Sequence, residues 1–356
     1  MNLKKERTAL VVTGLIIGTI AALLVLLGNP AYMGFCIACF VRDIAGSLKL
    51  HQAAPVQYMR PEILGLVLGS CLMALGHKEF SAKGGSSPMT RFILGIFVMI
   101  GSLMFLGCPI RMLQRLAGGD GNALFGLLGF VAGILAGVFF LNRGYTLKRT
   151  YRLPAAEGAV LPLVQVVFLV LLVAAPSLLV MTKAGEGPGG SHAPLILSLA
   201  AGLLVGALAQ RTRLCIMGGI RDLVLFRDGR LLLGFAGIFV SVLIWNLALG
   251  NFHPGFVDQP VAHTDGLWNA LGMVLTGFGS VLLGGCPMRQ LVLAGSGNTD
   301  SAVTILGLTA GAAIAHNFGL ASSPEGPTPA GKAAVLIGIA VVALIAWVNS
   351  RRTKEA

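Results

Sequence analysis

Long apolar runs alternate with short polar breaks along the whole chain. Runs long enough to cross a bilayer, or nearly so, fall at about 8–28, 61–76, 91–107, 122–142, 160–182, 194–210, 231–250, 266–284, 301–318 and 331–349. Each predicts a helix, because a backbone inside hydrocarbon must satisfy its own hydrogen bonds. The second run is the shortest, at about 16 residues, and carries the weakest signal. The first follows Lys4, Lys5 and Arg7, as a secretion signal would. Its apolar stretch is too long for one, and its Gly14/Gly18 pair reappears as Gly202/Gly206, so it is predicted to stay as a helix.

Between these runs stand two kinds of stretch that occur twice. Cys36-Ile37-Ala38-Cys39-Phe40-Val41-Arg42-Asp43 is matched by Cys215-Ile216-Met217-Gly218-Gly219-Ile220-Arg221-Asp222. Gly107-Cys108-Pro109-Ile110-Arg111-Met112-Leu113 is matched by Gly285-Cys286-Pro287-Met288-Arg289-Gln290-Leu291. Cys36 precedes Cys215 by 179 positions and Cys108 precedes Cys286 by 178, so nearly one offset relates both motifs. This is an internal duplication. The expected organisation is a first repeat over 1–142, a basic loop, fifth helix and linker over 143–193, and a second repeat over 194–356. Five spans per half is an odd number, so the second half inserts upside down relative to the first. Inverted repeats of this kind place a site at the repeat interface near the midplane.

Neither motif reads as an ordinary loop. The Cys-x5-Arg-Asp stretch is too apolar to be solvated and too short to cross, so it predicts a re-entrant segment covered by protein. At Gly107-Cys108-Pro109 the chain must break. Gly107 ends a helix, and Pro109 lacks the N–H that would continue one. Proline suits the first position of a new helix, with Cys108 as its cap, which predicts a short helix over 109–117. The same holds at Gly285-Cys286-Pro287.

Composition agrees with the pattern. The chain of 356 residues is 55% hydrophobic and only 11% charged, and its mean hydropathy is +0.84. A soluble domain needs far more polar surface, so the fold class is an all-α integral membrane protein. Forty-nine glycines fit closely packed membrane helices. The net charge of +12 sits in short loops on one side, which excludes nucleic acid as the partner and matches the positive-inside pattern. Lys4, Lys5, Arg7, Lys78, Lys83, Arg91, Arg143, Lys148, Arg149 and Arg152 lie on that side, with Arg211, Arg213, Arg227, Arg230, Arg351, Arg352 and Lys354. Both termini are therefore expected in the cytoplasm. Lys49 and Arg60 fall on the wrong side.

A restarted helix points free N–H groups and partial positive charge at whatever faces its first turn. That is an anion site. Cys108 and Cys286 stand there, with Arg111 and Arg289 three residues on. Cys36 and Cys215 approach from the other re-entrant pair. The ligand suggested is a small anion with soft sulfur or selenium, since a hard oxyanion would call for hydroxyls and arginines. Blander readings stand beside this one. Intramembrane cysteines often only pack, as Cys71 is expected to. Arg42-Asp43 and Arg221-Asp222 can be structural ion pairs, each with a charge in the partner repeat. His316 reads as a hydrogen-bonded helix residue, and no histidine carries metal-ligand spacing. Cys36 and Cys39 form a C-x-x-C, but Gly218 replaces the second cysteine in the duplicate, which weakens a dithiol enzyme or a symmetrical soft-metal site.

The doubled Cys-x5-Arg-Asp and Gly-Cys-Pro-x-Arg stretches resemble the YeeE/YedE membrane proteins, and most closely the YedE branch described as selenium transporters. The resemblance implies pseudo-symmetric halves with re-entrant helices. It implies a substrate path along Cys36, Cys108, Cys215 and Cys286, in which thiols hand a thiosulfate-like anion inward. Arg42, Asp43, Arg111, Arg221, Asp222, Arg289, Pro109 and Pro287 would support that path. The function expected is import of a small sulfur- or selenium-containing anion across a bacterial inner membrane, without catalytic residues, metal or cofactor. The partners expected are the bilayer, the anion and, as an option, a small cytoplasmic sulfur-carrier protein. The alternatives are a membrane thiol-disulfide oxidoreductase using Cys36 and Cys39, or a soft-metal permease. Reporters fused within 143–152 and after Arg352 should signal cytoplasm, and one within 251–265 should signal periplasm. A periplasmic signal at either of the first two contradicts the orientation.

Overall fold

A computed structural model describes residues 3–351. Ten long helices stand where the apolar runs lie: α1 (Leu3–Leu26), α3 (Pro61–Gly76), α4 (Pro88–Met104), α6 (Asn122–Asn142), α7 (Ala155–Ala174), α8 (Leu195–Thr212), α10 (Arg230–Ala248), α11 (Gly266–Leu283), α13 (Thr299–Asn317) and α14 (Pro329–Arg351). Four short helices fall on the repeated motifs: α2 (Ile37–Ser47), α5 (Pro109–Gly118), α9 (Ile216–Phe226) and α12 (Pro287–Gly295). The sheet is a single two-stranded pairing of β1 (Lys83–Gly84) with β2 (Tyr151–Arg152). Among the described residues nine helical segments are long and apolar enough to span a membrane. The chain is an all-α membrane protein.

Three features differ from the sequence expectation in ways that matter for the site. The fifth long helix runs over Ala155–Ala174 rather than 160–182, because Pro176 opens a separate turn over Pro176–Leu178. The helix before Gly107 already ends at Met104, and it is Leu106, not the glycine, that takes a left-handed conformation (φ 60°). Finally, α13 has 19 residues but is not among the nine apolar spans. Asp300, Thr304, His316 and Asn317 dilute it, and Asp300 and Thr304 are buried against protein rather than lipid.

Polar pairs at the helix ends define two faces. At one, Glu6 at the start of α1 pairs with Arg230 at the start of α10 (2.9 Å), and Glu79 after α3 approaches Arg211 late in α8 (4.0 Å). At the other, Asn29 after α1 joins Glu62 at the start of α3 (2.9 Å) to Ala193 just before α8 (2.8 Å). Thus α1 and its sequence counterpart α8 run in opposite senses. The first face carries Lys78, Lys83, Arg143, Lys148, Arg149 and Arg152 on its loops. Arg352 and Lys354 lie outside the described residues. Arg60 is no solvated loop charge: it is fully buried and bonded to Asp43 (2.7 Å), which removes one of the two exceptions in the loop-charge count.

Helix partners recur from half to half. α1 packs on α10 as α8 packs on α3; α4 packs on α13 as α6 packs on α11; α5 meets α10 as α12 meets α3. Glycines set these distances. A Cβ at Gly14 would strike the carbonyl of Gly234 in α10, and one at Gly206 would strike that of Leu66 in α3. Lipid offers no hydrophobic drive for helix pairing, so such close approach supplies the packing that does. The two remaining long helices break the pattern, α7 lying on α3 and α12, and α14 on α4 and α11. Val160, Leu163, Val167, Val170 and Val173 of α7 are exposed, as a lipid-facing surface requires.

Gly206→Val should therefore overpack the α3–α8 contact and destabilise the protein by about 1–3 kcal/mol. Val170→Ala, on the lipid-facing side of α7, should leave the detergent melting temperature unchanged. Equal melting of both variants with the parent would contradict the close approach.

Candidate functional site

All four motif cysteines occupy the same structural position, the residue that caps the start of a short helix. Cys36 caps α2 and its sulfur accepts the amide of Cys39; Cys215 caps α9 and accepts the amide of Gly218. The distances are 3.4 and 3.3 Å. Sulfur here does what a serine or aspartate oxygen ordinarily does, satisfying an amide that the first turn leaves free. Cys108 caps α5 and Cys286 caps α12, with Pro109 and Pro287 at the first helical positions. Their thiols make no such cap bond and turn toward the other helix pair. The Cys108 sulfur accepts the amide of Ile37 (3.2 Å), and the Cys215 thiol donates to the Cys286 sulfur (3.8 Å). The four cysteines are between 0 and 5% exposed and none is in a disulfide. The two clusters are close enough for Cys108 and Cys286 to interact electrostatically.

The Gly-Cys-Pro-x-Arg spacing has a steric reason. The Arg111 stem folds back over Gly107, where a Cβ would lie 2.9 Å from its Cδ; the Arg289 stem covers Gly285 at 3.1 Å. Any larger residue would displace the arginine. Arg111 is fully buried and its donors are all engaged. It bonds the carbonyls of Leu106, Tyr32, Pro260 and Val261, the last three at 3.3, 3.2 and 3.2 Å. Cys39, the cysteine without a counterpart, donates its thiol to the same Leu106 carbonyl (3.8 Å). Among the described residues no group of three or more His, Cys, Asp or Glu is placed to hold a metal.

The Arg-Asp pairs close on themselves rather than reaching into the other half. Arg42 bonds Asp43 (2.7 Å) and Arg221 bonds Asp222 (2.8 Å). The expected cross-repeat pairing is absent because neighbouring side chains on α2 and α9 already satisfy one another. They differ in setting. Asp43 is fully buried and takes a second arginine, Arg60, whose other donors reach the carbonyls of Pro188 (2.6 Å) and Ser191 (3.2 Å). Arg60 also lies over the Phe40 ring at 4.6 Å. Arg221 and Asp222 stay partly exposed, and among the described residues neither has a further ion-pair partner.

Each face has a cavity lined in part by the arginine of one Arg-Asp pair. On the second face a cavity of about 450 Å³ is lined by Arg42, Leu106, Val261 and His316. On the basic face one of about 510 Å³ is lined by Arg91, Tyr145, Lys148, Arg221 and Gly284. Arg42 and Leu106 are the sequence counterparts of Arg221 and Gly284, so related residues open to opposite faces. Tyr145 is buried with no partner for its hydroxyl, and burial pushes its phenol above the usual range, keeping it a neutral donor. His316 is not the hydrogen-bonded residue expected of it. It stacks on His51 (4.7 Å between ring centroids) with its Nε2 buried and unpartnered.

Sequence reasoning missed Arg60 and Leu106. The only sign of the first was its misfit in the loop-charge count; the second reads as one more apolar residue. The comparisons with known proteins bear on the second half alone. Residues 211–352 match a family model described as "Sulphur transport", and this span includes Cys215, Arg221, Asp222, Cys286, Pro287 and Arg289. No curated protein matches the chain.

The two Arg-Asp pairs should differ in weight. Asp43→Asn leaves Arg42 and Arg60 buried without a counter-charge and should cost about 3–5 kcal/mol. Asp222→Asn, at a partly exposed pair, should cost about 1 kcal/mol or less. Denaturation of the purified variants checks this, and equal losses would contradict it.

Proposed function

We propose that this protein is a multi-pass transporter that imports a small sulfur- or selenium-containing anion, thiosulfate or a selenium analogue, across a bacterial inner membrane. The observation that carries the reading is the placement of four cysteines at four interrupted helix starts, gathered as two thiol clusters with a cavity on each face. Helix starts favour negative charge through free amides and the helix dipole. Thiols are soft, weak donors, which suit a terminal sulfur or selenium better than a phosphate-like oxyanion. The match of residues 211–352 to a sulphur-transport family supports the same reading.

The path runs from the Arg42–Leu106 cavity past Cys36 and Cys108, then past Cys286 and Cys215, to the basic cavity beside Arg221 and Gly284. Residues 1–142 and 194–356 form two inverted repeats joined through 143–193, a reading supported by the opposite senses of α1 and α8 and by their exchanged packing partners. The basic face lies in the cytoplasm, by the positive-inside rule. The thiols act as neutral S–H donors, since a full thiolate would repel the anion it must pass. Several weak contacts suit conduction better than one deep well, because a tightly held ion does not leave. A small sulfur-carrier protein would find its substrate at the basic cavity.

Labelled thiosulfate and selenite should enter cells that express the protein faster than cells that do not. Cys108→Ala and Cys286→Ala should each lower uptake about fivefold or more at matched expression, the loss of a hydrogen bond that nothing else replaces. Cys39→Ala should retain most uptake, because Cys39 lies outside the duplicated set. Near-normal uptake by both Cys108→Ala and Cys286→Ala would reduce the cysteines to packing residues.

A further inference from the structure

The two motif arginines are equivalent in sequence and opposite in circumstance. Arg111 gives its donors to four backbone carbonyls and is sealed at 0% exposure. Arg289 is partly exposed, and among the described residues it has no ion-pair partner and its buried Nη1 has no hydrogen-bond acceptor. The charged or polar groups nearest in effect are the thiols of Cys215 and Cys286, and Arg213, which adds positive charge. An unpaired guanidinium in the interior of a membrane protein is costly, and such charges ordinarily pair or mark a substrate path.

The neighbours of the two arginines differ in the same way. In the first half, Leu106 and Cys39 stand beside Arg111, and the Leu106 carbonyl takes both the guanidinium and the Cys39 thiol. In the second half, the corresponding positions are Gly284 and Gly218. A Cβ at Gly284 would meet nothing within 4 Å. Gly284 and Leu106 share the left-handed conformation, φ 78° and 60°, so the backbone is alike and only the side chain differs. The Leu106 side chain thus occupies space in the first half that Gly284 leaves open in the second, where Gly284 faces the basic cavity.

We infer that Arg289, with the Cys215 and Cys286 thiols, forms an anion-binding site in the second half of the path, where the substrate pauses, and that Arg111 has no such role. The inference rests on the transport reading above and assigns to one residue the charge recognition that the thiols cannot supply. The anion would take the vacant donors of Arg289 and be released past Gly284 to the basic face.

The test is equilibrium binding of radiolabelled thiosulfate and selenite to the purified full-length protein in lipid nanodiscs. Arg289→Gln should weaken binding about tenfold or more, as expected on removing a charge-assisted hydrogen bond, with partial recovery in Arg289→Lys. Arg111→Gln should lower the melting temperature while the folded fraction keeps its affinity. Gly284→Leu, which copies Leu106 of the first half without touching any donor, should also weaken binding. Parent-like affinity in Arg289→Gln overturns the assignment and leaves the transport reading standing. Failure of the unaltered protein to bind either anion overturns both.

Discussion

A helix cannot run through Gly-Cys-Pro, and a backbone cannot stop inside a membrane without partners for its free groups. The chain meets the first condition twice, at 107–109 and 285–287, and the second at all four short-helix starts. α4 ends at Met104 and α11 at Leu283, the chain turns at the left-handed residues Leu106 and Gly284, and Pro109 and Pro287 open α5 and α12 at the first helical position. Cys36 and Cys215 begin α2 and α9 by accepting an amide on sulfur. Carbonyls exposed by the breaks are taken up by buried side chains. Arg115 bonds the Phe105 carbonyl (2.7 Å), and Gln290 bonds that of Leu283 (3.1 Å). The helix starts at Ile37, Pro109, Ile216 and Pro287 are buried in protein, as irregular backbone at membrane depth requires.

The duplicated parts have not stayed equal, and the differences fall beside the cysteines. Asp43 holds two arginines in a dry network tied to the 188–191 loop, whereas Asp222 holds one at a partly wet surface. Leu106 and Cys39 crowd Arg111, whereas Gly284 and Gly218 leave Arg289 with room. A pathway with identical halves would offer the same well twice. Here Arg111 in one half is internally satisfied, and Arg289 in the other keeps a buried Nη1 without an acceptor.

Much of this was legible in the chain. The long apolar runs located every long helix, and the common offset of two motifs located all four short ones. Pro109 and Pro287 announced the restarts because proline has so few places to go in a helix. What stayed hidden depended on tertiary neighbours. Leu106 gives no sign that it will take a left-handed turn, since its counterpart Gly284 shows the requirement and it does not. Arg60 looked like a misplaced loop charge until Asp43, 17 residues away, was seen to hold it. Arg111 and Arg289 share a motif, and only the surrounding side chains separate them. The polar residues of α13 pulled it below the hydropathy of the other spans, although its packing on α4 and α12 is that of a membrane helix core.

The central claim is that an anion passes between the two cysteine clusters. A structure determined in lipid nanodiscs with and without saturating thiosulfate tests it most directly. The account predicts ligand density between the helix starts, within hydrogen-bond distance of at least one of the sulfurs of Cys36, Cys108, Cys215 and Cys286. Density confined to a surface far from all four sulfurs would contradict it.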